Sequence, residues 1–246
     1  MKQILIPVPP SAEQDAIVDF LDRELEEIDA LIAKNEALVT NLLERRKALI
    51  TSFVAFGSAS SKAVPNNWIP QRLRHLATIE SGRDYKEVEV FEGGYPIYGS
   101  GGEFGRASRY LYSGESVLLG RKGTIDRPLY VNEAFWTVDT MYWTRFKPGV
   151  CIKFMYYWAT TIPFKMYSTN TALPSMTGAD LKNMPINLPP LDEQIAIATE
   201  LDQAIQGMDI LQENSEKAVL LLRERRQALI ASAVTGKLEL RGQANG

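Results

Sequence analysis

A shift of 180 residues lays the two ends of this chain over each other without a gap. Between residues 6–54 and 186–234, 22 of 49 positions are identical, and identities at that density exclude two helices that merely share an amphipathic pattern. Pro9-Pro10 matches Pro189-Pro190, and Glu13-Gln14 matches Glu193-Gln194. Further along, Glu44-Arg45-Arg46 recurs as Glu224-Arg225-Arg226, and Ala48-Leu49-Ile50 as Ala228-Leu229-Ile230. Each copy starts directly after its paired prolines, which disfavour helix before them and suit a first helical turn.

Within the copies the apolar residues follow a heptad. Leu21, Ile28, Asn35, Leu42 and Leu49 share one position, and Leu201, Met208, Ser215, Leu222 and Leu229 repeat it. Leu25, Leu31 or Ile32, and Val39 fill the interleaved position, so each copy is expected to pair as one strand of a coiled coil. The polar Asn35 and Ser215 either pin the register of that pair or sit as tolerated solvent contacts. Ser11 and Gln14 have capping-box spacing; in the second copy Leu191 replaces the serine, which makes Asp192 the expected cap. A helix over residues 12–54 would be about 65 Å long at 1.5 Å per residue. Gly57 and Gly236 are the expected stops, and Gly207 is a weak point. One helix enters the intervening segment and the other leaves it, so the pair is expected to run antiparallel.

The chain therefore divides into residues 1–57, 58–183 and 184–246. The formal net charge of −3 conceals a split along these lines. Residues 58–183 hold 15 Lys and Arg against 11 Asp and Glu, and the remainder holds 12 against 19. A middle of net +4 between ends of net −7 suits an anionic partner for the middle segment only. Glycines, aromatics and short β-rich runs replace the heptads there. Strands are expected at Tyr95–Tyr98, Ser116–Leu119, Leu129–Val131 and Thr140–Phe146, with a helix over Ile152–Thr160. The fold class is α+β: one mixed α/β domain flanked by two long antiparallel coiled-coil helices.

Three polar loops of the middle domain carry donors. Tyr98-Gly99-Ser100-Gly101-Gly102 leads to Arg106 and Arg109, and Gly120-Arg121-Lys122-Gly123-Thr124 leads to Arg127. The third pairs Lys165 with Ser168-Thr169-Asn170, and Arg83 and Lys86 add charge upstream. Glycines let backbone amides approach a phosphate or base edge, and the arginine fork matches both. Each loop read singly is equally a hairpin turn with solvated charges; three together point to nucleic acid.

Catalytic and metal chemistry find no support. One cysteine, Cys151, and one histidine, His75, are too few for an ordinary zinc site or a disulfide framework. His75 reads as a packed or capping residue. Neither glycine cluster has phosphate-loop or dinucleotide-binding spacing. Asn187-Leu188-Pro189-Pro190 is an interrupted form of the motif of amino-methyltransferases, and a helix signal follows it. No run reaches the roughly 18 apolar residues of a membrane helix, and the first residues lack a signal peptide's apolar core. A cytoplasmic location is expected.

The paired-proline Pro-Pro-x-x-Glu-Gln helix starts, the Glu-Arg-Arg interior, the ending Val234 to Leu238 and the opening Pro65-Asn66-Asn67-Trp68 together resemble the specificity subunit of type I restriction–modification systems. The resemblance covers nearly the whole chain. It implies two recognition domains, each reading half of an interrupted double-stranded DNA target, held apart by the two helices. It also implies that the helices, including Arg45, Arg46, Arg225 and Arg226, dock methyltransferase subunits that use S-adenosylmethionine, and through them restriction subunits. No cofactor is expected on this chain.

One recognition domain is present where the family has two. Residues 4–8 align with 184–188, the close of the middle domain, and so look like the tail of a second recognition domain. A homodimer, with a symmetric target, or a complementary N-terminal half, with an asymmetric one, would complete the pair. A 65 Å spacer would cap the separation at about 19 base pairs of 3.4 Å. A coiled-coil adaptor whose middle domain binds protein, and a self-contained methyltransferase, are the competing readings.

Overall fold

The computed structural model describes residues 9–167 and 174–235. Its elements are α1 (Ser11–Phe56), β1 (Ile69–Arg72), α2 (Leu73–Leu76), β2 (Ala77–Ser81), β3 (Glu89–Val90), β4 (Tyr95–Gly99), β5 (Gly102–Ala107), β6 (Tyr112–Gly120), β7 (Leu129–Thr137), β8 (Met141–Phe146), α3 (Ile152–Thr160), α4 (Phe164–Tyr167), α5 (Gly178–Asn183), β9 (Pro185–Leu188) and α6 (Leu191–Val234). The architecture is α+β, and it forms two compact units. One is Met1–Arg46 with Ile205–Gly246; the other is Lys47–Ala204. The division falls inside the two long helices, after Arg46 in α1 and before Ile205 in α6.

The helical unit is an antiparallel pair. Its ion pairs are Arg46–Asp209 (2.6 Å), Glu36–Arg223 (2.7 Å), Asp29–Arg226 (2.9 Å) and Glu24–Arg225 (3.3 Å), and across the first three one number falls as the other rises. Arg46–Asp209 and Arg226–Asp29 are related by the 180-residue shift, so the repeat in sequence becomes a pseudo-two-fold in space. Exposed pairs of this kind contribute about 0–1 kcal/mol each; they fix register more than they add stability. Ile28 and Leu42 are buried, and Leu21, Met208, Leu222 and Leu229 half-buried or better, as the heptad requires. Ile32 is half-buried and Leu31 exposed, which settles the interleaved position in favour of Ile32. Asn35 donates to the Leu31 carbonyl of its own helix (2.9 Å), while Ser215 is buried. Leu42→Glu is expected to destabilise this pair by about 2–4 kcal/mol, read as early loss of helical signal on heating, with the aromatic near-ultraviolet signal of the sheet unit retained. Unchanged melting would contradict the packing.

Helix starts depart from the expected caps. Ser11 and Leu191 already lie within the helices, and Gln14 and Gln194 reach back to the Pro9 and Pro189 carbonyls, at 2.7 and 2.8 Å. Proline lacks the N–H that a capping box reciprocates, so the glutamine satisfies a carbonyl instead. Asp192 is simply a first-turn acid. Gly57 ends α1 at φ +80°, its N–H on the Phe53 carbonyl; Gly236 lies outside the described residues.

The second unit is built on a seven-stranded sheet of order β2-β8-β6-β7-β4-β5-β3, in which only β4 and β7 run parallel. One core cluster gathers Ile97, Ala107, Leu118, Val131, Phe135, Trp136, Met141 and Trp143. Helix α3, over the span its composition predicts, buries Phe154, Met155, Trp158 and Ala159, and it packs on β6 and β7. A fully buried side chain of this size contributes about 1.5–3 kcal/mol. The strand pair β1–β9 is separate: Ile69 to Arg72 pairs antiparallel with Leu188 to Pro185.

The first turns of α6 clasp this unit through three side chains. Glu193 accepts the Trp68 indole N–H (2.9 Å) and the Asn67 amide (3.1 Å). Gln194, 1% exposed, accepts the Cys151 backbone N–H at the start of α3 (2.8 Å). Asp202 accepts the Tyr157 hydroxyl and pairs with Lys153 (3.2 Å). Ile197, Ala198 and Leu201 are buried between these bonds.

Candidate nucleic-acid interface

The turn Val138–Thr140 between β7 and β8 is the hub of one end of the sheet. On one side, Gly82 N–H donates to the Met141 carbonyl (3.0 Å) and Arg83 N–H to Thr137 (2.9 Å). On the other, Arg121 and Lys122 N–H both donate to the Thr140 carbonyl (2.8 and 3.2 Å). The end of β4 joins through its Tyr98 carbonyl, which accepts the Val138 N–H (3.1 Å) and the Thr137 hydroxyl (3.0 Å). Two further bonds, Gly123 to Pro174 and Met176 to Arg121, each 3.0 Å, bring in the segment before α5.

Two glycines make this convergence possible. A Cβ on Gly82 would lie 2.0 Å from the Val138 carbonyl oxygen, and one on Gly120 would lie 2.4 Å from that of Thr124. Both distances are far inside contact, so only a residue without a side chain fits.

Of the sequence-predicted residues, backbone bonds tie Arg83, Arg121 and Lys122 to the hub, while Ser100 and Thr124 lie in the turns that follow β4 and β6. Ser100 sits in the turn joining β4 to β5, and Arg83, Lys122 and Thr124 are exposed. The Arg121 guanidinium lies 5.9 Å over the Tyr142 ring and donates to the Asp139 carbonyl (3.3 Å), which orients the fork while leaving donors uncommitted. Lys86 and Arg127 are exposed in neighbouring loops.

Others stand apart. The glycine-rich segment leading to Arg106 is not a loop beyond residue 101: Gly102–Ala107 is strand β5, turned back on β4 through Gly102 at φ +113°. Arg106 is thereby fixed opposite Pro96 and paired with Glu103 at 3.1 Å. Arg109 follows β5, but its guanidinium lies 5.7 Å over the Trp136 ring, whose indole N–H donates to the Arg83 carbonyl at 3.1 Å, so it returns to the hub. Thr169 and Asn170 lie outside the described residues, as does the side chain of Lys165.

One cation escaped sequence reasoning. Arg145 on β8 lies over both Tyr112 (5.7 Å) and Trp143 (5.6 Å) and is exposed. Its alternation with Trp143 on a predicted strand was the available signal.

Two tyrosines organise the acids of the same sheet. Burial, then the adjoining Glu133 carboxylate, pushes the Tyr98 hydroxyl well above the ordinary tyrosine range; it donates to Glu133 at 2.9 Å. Burial and Glu115 do the same to Tyr130. Both phenols stay protonated donors, and they hold these carboxylates in place on β6 and β7. His75 is exposed and bonded to Gln71 and Arg74, neither packed nor capping. Among the described residues no group of His, Cys, Asp and Glu is placed to hold a metal, and no helix is long and apolar enough to cross a membrane.

The family model described as "Type I restriction modification DNA specificity domain" matches residues 65–220. The chain is similar to the type I restriction enzyme EcoDI specificity subunit of Escherichia coli, 23% identical over 288 residues that cover 98% of this chain and 64% of that protein. The EcoprrI specificity subunit of the same organism is 24% identical over 110 residues, 44% of this chain and 27% of that protein. Among solved structures, a chain from a type I R-M system studied for complex assembly and conformational transition superposes with a TM-score of 0.79, at 21% identity, covering 95% of this chain and 62% of that one. The HsdS subunit from Thermoanaerobacter tengcongensis gives 0.59 at 22% identity, covering 95% and 61%. This chain thus spans less than two thirds of the length of these relatives.

Proposed function

The chain belongs to the type I restriction–modification DNA specificity family, and from that premise we propose that it reads one half of an interrupted double-stranded DNA target while its helices dock methyltransferase subunits. The observation that carries this reading is the convergence of Arg83, Arg121 and Lys122 on the residues around the Val138–Thr140 turn, in the one segment of the chain with a positive balance of charge. Backbone phosphates attract such a cluster, and an oriented guanidinium reads a guanine edge.

In this reading the chain is non-catalytic. The methyltransferase brings S-adenosylmethionine and the methylation chemistry, and restriction subunits join through it in the cytoplasm. Exposed leucines on the helical unit, Leu31, Leu38 and Leu43 on α1 with Leu211, Leu220 and Leu221 on α6, supply apolar area for protein partners. A second recognition domain completes the target, supplied by another copy or by a complementary half.

Methylation mapping in cells carrying this chain and its methyltransferase tests the proposal: an interrupted motif that disappears with the chain is the expected result. In vitro, affinity for that motif is expected to fall steeply between about 50 and 200 mM salt. Methylation indifferent to sequence would overturn the proposal, and partner binding unchanged by salt, with no DNA complex, would turn it toward a protein adaptor.

A further inference from the structure

The two shoulders of the turn between β7 and β8 are built alike. Trp136 precedes the turn and Tyr142 follows it, each one residue removed from the bonds of the hub, and both are buried, at 4% and 8% exposure. Each side chain does two things. The Trp136 ring lies under the Arg109 guanidinium at 5.7 Å, and its indole N–H donates to the Arg83 carbonyl (3.1 Å). The Tyr142 ring lies under the Arg121 guanidinium at 5.9 Å, and its hydroxyl donates to the Met176 carbonyl (3.5 Å). Both loops reached in this way are also tied through their backbone, Arg83 N–H to the Thr137 carbonyl and Met176 N–H to the Arg121 carbonyl. A floor for an arginine and a strut for a loop are thus one side chain, and the arrangement occurs twice.

Filling the core does not require this. An aliphatic residue fills space as well; the ring adds a flat, electron-rich face, and its polar atom adds a fixed loop. The choice of partner also decides what a guanidinium has left to offer. Paired with a carboxylate, as Arg106 is with Glu103 at 3.1 Å, it spends N–H donors of its fork. Laid on a ring, it keeps the donors that point outward in its own plane. Among the described residues neither Arg109 nor Arg121 has a carboxylate within ion-pair distance, and Arg109 is exposed and Arg121 half-buried. An arginine already resting on a ring also gives up less rotamer freedom when DNA arrives.

We propose that Trp136 and Tyr142 are positioning residues for DNA readout, which hold Arg109 and Arg121 as two preset guanidiniums, each aimed at a guanine edge in its own base pair. The inference rests on the reading of this unit as a DNA recognition unit. It assigns specificity to two buried aromatics that do not themselves touch DNA.

Full-length chain, co-expressed with its methyltransferase, is incubated with a library of randomised DNA duplexes, and the bound DNA is sequenced. The preference at each base pair is a ratio within the bound pool, so it does not depend on how much of the protein is folded. R121A is expected to lower the guanine preference at one base pair by at least about fivefold, and R109A at another. Y142L is expected to reproduce the R121A profile and W136L the R109A profile, with the other positions kept. Y142F, which keeps the ring, is expected to restore most of the preference. Successively fluorinated phenylalanines at position 142 keep the shape while withdrawing charge from the ring face, and the preference at the Arg121 base pair is expected to fall stepwise along that series.

Leucine variants whose losses spread evenly over all positions, or whose profiles match the parent, overturn the proposal. A flat fluorine series overturns the role of Tyr142 and remains readable where leucine prevents folding. A parent chain that selects no sequence fails the DNA reading itself, and the positioning roles with it. A parent with a clear motif that ignores Trp136 and Tyr142 fails the positioning roles alone.

Discussion

Arg83→Ala combined with Arg121→Ala is expected to weaken DNA binding by about two to four orders of magnitude, at about 1–3 kcal/mol for each base-reading or closely held arginine. Both side chains stand at the hub without carrying the fold: Arg83 is exposed, and the contacts of Arg121 are one long hydrogen bond and one ring face. Melting should therefore change little. Lys122→Ala is expected to act uniformly across sequences and to flatten the slope of log K against log salt by about one, as loss of a phosphate contact does. Arg106→Ala should cost less, since its guanidinium is shared with Glu103. Titration of target and scrambled duplexes at several salt concentrations measures all three variants. An unchanged affinity in the double variant, with melting intact, would remove the hub from the interface.

The second large effect is on stability. Trp68→Ala is expected to cost about 3–5 kcal/mol, the range for deleting a large aromatic from a packed site. Trp68 is 5% exposed, and its ring lies 3.2 Å from where a Cβ on Gly57 would be, so the cavity opens where α1 ends, the polar linker begins and α6 starts. Trp68→Phe separates packing from bonding. It retains most of the ring and loses only the N–H to Glu193, a hydrogen bond to a charged group worth about 1.5–3 kcal/mol. Urea titration followed by circular dichroism gives both values. Equal losses for alanine and phenylalanine would show that the indole's bond, not its volume, is what the site requires.

Much of this was legible in the residues because it depends on local periodicity or on identity. The heptads place Ile28 and Leu42 inside, and the composition of Ile152–Thr160 marks its helix. The four expected strands are present, with Leu129–Val131 extended to Thr137. Shorter strands were missed for a physical reason. Gly102–Ala107 reads as a glycine loop because its pairing with β4, not its propensity, makes it a strand, and Glu89–Val90 exists only through β5. Ile69–Arg72 contains a proline and pairs with residues 185–188, more than a hundred positions away. No local window carries that information.

The candidate site divides in the same way. Arg83, Arg121 and Lys122 were visible as charges among glycines, but their convergence depends on backbone bonds to Thr137 and Thr140, and Arg109 joins them only through the Trp136 ring that bonds Arg83. Glu193, Gln194 and Asp202 were visible only as repeated letters. Their bonds to Trp68, the Cys151 amide and Tyr157 turn those letters into a clasp.

The repeat itself is what the sequence determined alone: two equivalent helices, antiparallel around a basic domain, follow from a gapless 180-residue match because identity and heptad phase survive without tertiary information. Only the tertiary structure decided which residues of that repeat hold the domain. A hydrogen-bond partner is a matter of position in space, and Glu13 and Glu193, identical in chemistry, differ only in what the fold brings to them.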